Sequence, residues 1–278
     1  MKNYRVIPLY SGSKGNAVLI EAAGTKILID AGKSATALCM ALRSVGCDIS
    51  QIDAVFITHE HTDHVAALEN LLKKHRIPVH MTEISARKFD RCANNELKEC
   101  IVRHMTKFEQ CVGGVRVKSF RTPHDSMMSV GYRLEFEGED GKICSVGIAT
   151  DMGCVTRDVC EGLFGCETVV IESNHDAEML RDGPYPPYLK ERVASERGHL
   201  SNGQSAELTA HLAKAGTKTI ILAHLSEENN DPQIALNEHL RAICDPRVTL
   251  VAACQNAPVI IEMGGGNTTG KETKVAFS

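Results

Sequence analysis

Short apolar runs that stop at a side chain able to bind metal or move a proton recur along this chain. Ile27-Leu28-Ile29 ends at Asp30, Val55-Phe56-Ile57-Thr58 at His59, and Val146-Gly147-Ile148-Ala149-Thr150 at Asp151. Val169-Val170-Ile171 ends at Glu172, and Ile220-Ile221-Leu222-Ala223 at His224. Continuous apolar runs of this length suit strands covered on both faces. Functional groups gather at the carboxyl ends of such strands, so these endings predict one shared rim.

Between the strands the pattern shifts to helical spacing over 34–45, 63–74, 187–195 and 201–215. Gly46 and Gly216 follow two of these stretches as C-terminal caps, and Ser201 with Gln204 forms a capping box. Hairpin-like β segments run over 115–122 and 130–136, the latter turning through 137–141 into 143–150. The expected architecture is α/β: two mixed sheets with helices outside. With no fixed-period repeat and no Pro/Ser-rich linker, residues 1–263 read as one domain. From Gly264 the stretch Gly-Gly-Gly-Asn-Thr-Thr-Gly-Lys lacks apolar periodicity and predicts a flexible tail over 264–278.

Composition changes this picture little. A chain of 278 residues can bury one large core, and its formal net charge of -4 excludes a generally basic surface. Nucleic-acid binding would therefore depend on a local patch. No apolar run approaches the roughly 18 residues of a membrane span, and the amino terminus lacks a signal-peptide core, which predicts a cytoplasmic protein without a membrane partner. The 11 cysteines include no C-x-x-C pair, and the expectation is buried reduced thiols.

The densest chemistry is Thr58-His59-Glu60-His61-Thr62-Asp63-His64, directly after a buried strand. A solvated His-rich loop is the plain alternative. Imidazole with carboxylate suits zinc, iron or manganese, and alternate residues of an extended segment point the same way, so His59 and His61 can share one ion. Asp63 and His64, at the mouth of the next helix, can face a second. His124, Asp151 and His224 each follow a predicted strand and supply further ligands.

The series His59-x-His61-x-Asp63-His64, then His124, Asp151 and His224, resembles the metal-ligand set of the metallo-β-lactamase superfamily, over roughly residues 5 to 262. The resemblance implies a four-layer αβ/βα sandwich with a binuclear site. It assigns His59, His61 and His124 to one ion, Asp63, His64 and His224 to the other, and Asp151 as the bridge. Asp30 would orient a ligand imidazole through its other ring nitrogen. Zinc or manganese fits such donors, and iron and nickel remain open.

Two ions about 3.5–4 Å apart can share a hydroxide and stabilise both oxygens of an in-line displacement, which suits phosphodiesters and carbonyl substrates alike. Further segments discriminate. Glu172-Ser173-Asn174-His175 and Gly198-His199-Leu200-Ser201 resemble a branch with a Glu–His pair beside the metals, which makes His199 a candidate general acid with Glu172 setting its tautomer. The loop Ser11-Gly12-Ser13-Lys14-Gly15-Asn16 could cradle a phosphate.

With Tyr185-Pro186-Pro187-Tyr188-Leu189-Lys190, these segments are similar to the YycJ/WalJ branch, associated with 5′ to 3′ exonuclease action on duplex DNA and with mismatch repair. That resemblance makes Asp63, Glu172 and His199 the catalytic candidates. Ser11, Ser13, Lys14, Asn16, Arg121, Lys190, Arg192 and Arg197 share loops with the site and are candidate phosphate contacts, against the plain reading of solvated surface groups. The stretch between Asp151 and His224 leaves no space for the cap of β-CASP nucleases, and no Gly/Pro-rich arm for clamping transfer RNA is present. A small-molecule hydrolase for lactones, thioesters or cyclic phosphates is the main rival and requires a closed apolar pocket. A non-hydrolytic di-iron sensor is the third reading, and no flavodoxin-like or rubredoxin-like module supports it.

Overall fold

The computed structural model describes residues 4–92 and 95–263. The first sheet begins with β1 (Tyr4–Tyr10), β2 (Ala17–Ala22), β3 (Thr25–Ile29), β4 (Ala54–Phe56), β5 (Val79–Thr82) and β6 (Ile101–His104). The second follows with β7 (Glu109–Val112), β8 (Val115–Arg121), β9 (Val130–Glu137), β10 (Ile143–Ala149), β11 (Thr168–Glu172), β12 (Thr219–Ala223) and β13 (Thr249–Ala252). Finally β14 (Ile261–Met263) returns to the first sheet beside β1.

The strand orders are β14-β1-β2-β3-β4-β5-β6 and β13-β12-β11-β10-β9-β8-β7. Each sheet joins an antiparallel set to a parallel one, the switch falling at β3 in the first and β10 in the second. The anticipated functional endings all follow strands of the parallel sets: β3, β4, β10, β11 and β12.

Alternation along these strands builds the layers. In β3, Ile27 and Ile29 pack between the sheets while Leu28 faces the other way. In β11, Val170 faces inward and Val169 and Ile171 outward; β12 repeats this with Ile221 against Ile220 and Leu222. One core therefore lies between the sheets, and one lies under the helices on each outer face, which is the four-layer αβ/βα sandwich.

The expected helices appear at Ala35–Ser44, Pro187–Val193 and Asn202–Lys214, with Ser34 and Ser201 capping the first and third. The helix expected over 63–74 divides into two short pieces, Thr62–Val65 and Leu68–Leu72. Backbone competition explains the break: Ala31 N–H donates to His64 O, and Ala67 N–H donates to Ala31 O. The segment after β3 thus takes groups that an unbroken ladder would need, and it holds His64 against the sheet. Sequence periodicity also left unassigned the helices Arg157–Leu163, capped by Thr156, and Pro232–Ile243, capped by Asp231.

No disulfide joins any of the 11 cysteines, but only Cys47, Cys100, Cys144 and Cys166 are buried, so the expectation of buried thiols holds for a minority. Among the described residues, no helix is long and apolar enough to cross a membrane. The tail expected over 264–278 lies outside the described residues.

Candidate metal centre

The parallel strands deliver their terminal residues to one rim, and the backbone is contorted there. Asp30, Asp151 and His224 all adopt left-handed φ values of 63°, 57° and 56°. Such conformations cost energy in non-glycine residues and cluster where side chains must be aimed. Gly32 shows the same crowding, since a Cβ there would stand 1.9 Å from Asp63 O.

Four of the imidazoles are oriented by their second nitrogen. His64 Nδ1 donates to Asp30 Oδ2 at 2.8 Å, His224 Nδ1 to Glu172 Oε1 at 3.0 Å, and His124 Nδ1 to Gly198 O at 3.2 Å. His59 Nδ1 lies 3.0 Å from Thr58 Oγ1, and Asp30 Oδ1 accepts Thr58 N–H at 2.8 Å. Across the sheets, Tyr132 Oη donates to Ile57 O at 2.6 Å and Val130 N–H to Thr58 O at 3.1 Å, pinning the loop that carries His59.

The remaining ligand atoms converge. His59, His61 and His124 form one group within 4.8 Å; Asp63, His64 and His224 form another; Asp151 joins His59 and His64 in a third. Asp151 Oδ2 lies 3.3 Å from His64 Nε2, while its Oδ1 lies 3.5 Å from His224 Nε2 and 3.7 Å from His124 Nε2. Its carboxylate therefore sits between the two groups of imidazoles.

His59 Nε2, His224 Nε2 and Asp151 Oδ2 are buried and make no hydrogen bond among the described residues. Unpaired buried polar atoms are costly, and several aimed at one point are the signature of a coordination site. Electrostatics agree. Burial opposes charge on His64 and His224, yet Asp30 and Asp151 hold the first well above the usual imidazole range, and Asp151, Asp63 and Glu172 lift the second to about 10. Burial likewise opposes ionisation of Asp63 and Asp151, but the imidazoles beside them hold both carboxyls below the usual range. Burial and neighbouring imidazoles instead push His59 down, and burial does the same to His124. A set of carboxylates that draws protons onto buried imidazoles is a site short of positive charge, and divalent cations fit it.

Glu172 belongs to the surround of this centre. Its Oε1 accepts from both His199 Nδ1 at 2.8 Å and His224 Nδ1, and its Oε2 accepts Met152 N–H at 2.9 Å and Leu200 N–H at 3.1 Å. Both oxygens are committed to N–H donors. Burial opposes its ionisation, but His199 and His224 hold the carboxyl below its usual range. His199 is half-buried with its ring 5.1 Å from that of His224, so it stands beside the cluster with Nε2 free of these contacts.

A sequence profile described as the metallo-beta-lactamase superfamily matches residues 11–142. The exodeoxyribonuclease WalJ of Streptococcus pneumoniae serotype 2 is 32% identical over 229 residues, 82% of this chain and 83% of that protein. The exodeoxyribonuclease YycJ of Bacillus anthracis is 32% identical over 227 residues, 82% of this chain and 84% of that protein. The chain belongs to the metallo-beta-lactamase superfamily, in its WalJ/YycJ branch. Among solved structures of the metallo-beta-lactamase fold, YhfI from Bacillus subtilis superposes with a TM-score of 0.71 at 14% identity, covering 94% of this chain and 100% of its own. That likeness concerns the fold alone.

Relative to this superfamily centre, the phosphate candidates divide. Ser11 Oγ accepts His224 N–H at 2.7 Å, and Asn16 Nδ2 lies 3.1 Å from both Asp63 Oδ2 and His64 Nε2. Both are buried; Ser11 braces the His224 backbone, and Asn16 contacts the inward-facing atoms of Asp63 and His64. Ser13 is exposed, Lys14 pairs with Glu227 at 2.6 Å, and Lys190 donates to Arg181 O at 2.6 Å. Arg192 grips Asp125 Oδ2 through two nitrogens at 2.6 Å, and Arg197 donates to His124 O.

Sequence reasoning missed three contributors. Asp125 Oδ1 lies 3.3 Å from His124 Nε2, Glu60 Oε1 accepts Met127 N–H at 2.7 Å, and Asn174 Nδ2 donates to His224 O at 2.8 Å. Adjacency to His124 and His59 could have flagged the first two. Asn174 rests on a buried network with Asn202 and Asn230 that only tertiary contact reveals.

Proposed function

We propose that this protein is a metal-dependent phosphodiester hydrolase, a cytoplasmic DNA exonuclease acting 5′ to 3′ on duplex ends, with residues 1–263 working as one domain. The observation that carries the reading is the His199–Glu172 pair set beside the imidazole–carboxylate cluster, in a chain with two exodeoxyribonuclease relatives that it matches over four-fifths of its length.

His59, His61 and His124 would hold one divalent ion, Asp63, His64 and His224 the other, with Asp151 shared between them. Zinc and manganese suit the donors best, and iron and nickel are compatible. When bound, such ions supply Lewis acidity toward phosphoryl oxygens and acidify water. Asp30 and Glu172 keep the Nε2 atoms of His64 and His224 aimed inward, while Ser11, Asn16 and Asn174 fix the backbone and carboxylate around them. His199, with Nδ1 donating to Glu172, keeps Nε2 available to carry a proton to the departing oxygen. Arg197, bonded to His124 O, would be the nearest cation to a phosphate backbone, with Ser13 and Lys190 also available; Lys14 and Arg192 would contribute by exchanging Glu227 and Asp125 for phosphate.

The cavity beside His124 has arginines in its wall, which suits a phosphodiester, whereas a lactone or thioester hydrolase needs a closed apolar pocket. The deciding experiment digests end-labelled duplex and single-stranded DNA with metal-stripped protein reloaded with each ion. Stepwise release from 5′ ends of duplex is expected. His199→Ala is expected to lower kcat by roughly 10²–10⁴-fold with metal content intact. Turnover of lactone or thioester panels without cleavage of any DNA would defeat the proposal.

A further inference from the structure

Next to His124 the surface sinks into a cavity of about 510 Å³, within the range of small-ligand sites. His124 forms part of its wall, so the cavity adjoins the proposed metal centre directly. Three arginines reach it: Arg121 at the end of β8, Arg157 and Arg197.

Their commitments differ. Arg157 is paired with Glu161 at 2.6 Å, and the carboxylate in the wall, Asp158, is paired with Lys107 at 2.8 Å. Arg197 is exposed; its guanidinium donates to His124 O, at 3.2 and 3.3 Å, and meets no carboxylate among the described residues. Arg121 is exposed, and its guanidinium takes part in no ion pair or side-chain hydrogen bond among the described residues. Ser126 Oγ, also in the wall, is buried without a hydrogen-bond partner. Two guanidiniums that meet no carboxylate among the described residues thus border one cavity, with the Ser126 hydroxyl buried within its wall. Guanidinium forks match phosphate oxygens.

We infer that this cavity is a subsite for a phosphodiester of the nucleic-acid strand adjoining the bond to be cleaved, held by Arg121 and Arg197. Met127, 49% exposed in the same wall, offers apolar surface to the neighbouring sugar or base. Because Arg197 donates to the carbonyl of His124, the subsite has a fixed relation to the centre. The inference rests on the phosphodiester-hydrolase reading and adds where the strand runs.

The test measures binding separately from turnover. Fluorescence anisotropy of a labelled duplex with a single-stranded end, in chelator to stop hydrolysis, compares the full chain with Arg121→Glu, Arg121→Lys and Lys73→Ala. Arg121→Glu is expected to raise Kd by about tenfold or more and to lower the salt dependence by about one released counterion. Arg121→Lys should recover part of the affinity, and Lys73→Ala, at an exposed helix end away from the cavity, none of the loss. Inorganic phosphate at matched ionic strength should fail to displace the strand; displacement would assign the cavity to free phosphate and overturn the inference. A Kd for Arg121→Glu within twofold of the wild type, or no DNA binding by either protein, also overturns it. DNA turnover without an arginine effect would sink the subsite alone, whereas arginine-dependent binding with no cleavage would sink only the hydrolase reading.

Discussion

Two groups of buried histidines in this molecule behave in opposite ways. At the metal centre, His64 and His224 are fully enclosed yet held well above the usual imidazole range. On the first sheet, His80 of β5 stacks on Phe56 with ring centroids 4.5 Å apart, and bonds through Nδ1 to His104 Nε2 at 2.9 Å. His104 of β6 stacks in turn on Phe108 at 3.9 Å. Burial and the neighbouring imidazole push His80 down to about 4, and burial lowers His104 as well. Burial alone cannot explain both. The difference is carboxylate: Asp30, Asp63, Asp151 and Glu172 surround the first group, and none contributes to the second. The His64–His224 pair gathers charge because acids converge on it, and the His80–His104 pair stays neutral packing among aromatics.

The sharpest way to break the comparison removes the central acid. Asp151→Asn keeps the shape between the two imidazole groups and deletes the charge that both share. Breaking a buried charge set by removing one partner costs about 3–5 kcal/mol, which corresponds to roughly 10²–10⁴-fold. Metal content after dialysis against limiting zinc or manganese should collapse by that order, and DNA cleavage with it. A variant that retained two ions per chain would show that the imidazoles suffice and that Asp151 is not the bridge.

How far this contrast could be read from sequence depended on locality. The parallel strands were legible because each is an unbroken apolar run ending in one polar residue, and β3, β4, β10, β11 and β12 all deliver that residue to the rim. The stretch 58–64 showed its donors because they are consecutive. By contrast, the break between Thr62–Val65 and Leu68–Leu72 is imposed by Ala31, some thirty positions away, and no periodicity within the segment encodes it. Asn174, Asn202 and Asn230 read as ordinary loop and cap residues until folding joins them beneath His224. The His80–His104 stack was equally hidden, since two lone histidines more than twenty residues apart carry no pattern. Ser11 and Asn16 showed the limit of reading a loop by type: a small-residue loop that could face a phosphate braces His224 and Asp63 instead.

A smaller perturbation asks whether acids outside the ligand set matter in the same way. Asp30 touches the cluster through His64 Nδ1 and through both the backbone N–H and the hydroxyl of Thr58, whose Oγ1 lies 3.0 Å from His59 Nδ1. Asp30→Asn preserves size but can present its amide to the ring, releasing the tautomer that aims Nε2 inward. Loss of such outer partners typically weakens metal binding 10–100-fold. Competition against a chromophoric chelator should find the ion assigned to His64 weakened within that range, and the ion assigned to His59, which Asp30 reaches indirectly through Thr58 Oγ1, weakened less. Equal weakening of both would point to a general loosening of the rim rather than to control of His64.

The other side of the comparison gives the mildest effect, and it is confined to acid. The folded-state pKa of His80, about 4, lies below the ordinary value of 6.5, so between these values the unfolded chain binds more protons than the native one. The stability that comes from keeping His80 neutral is therefore fully present above about pH 6.5 and is lost as pH falls through 4. Between pH 7.5 and pH 5 the loss from this group alone is about 2 kcal/mol. His80→Phe cannot be protonated and retains a ring between Phe56 and His104, so its stability should fall by that much less over the same interval. Whatever the substitution costs in packing or in the bond to His104 shifts both pH values together and cancels in the difference. Urea unfolding of wild type and variant at the two pH values reads the quantity directly. Parallel losses in the two proteins would mean that His80 already shares a proton in the fold, and that the aromatic stack does not isolate it from charge as the acid-free surroundings imply.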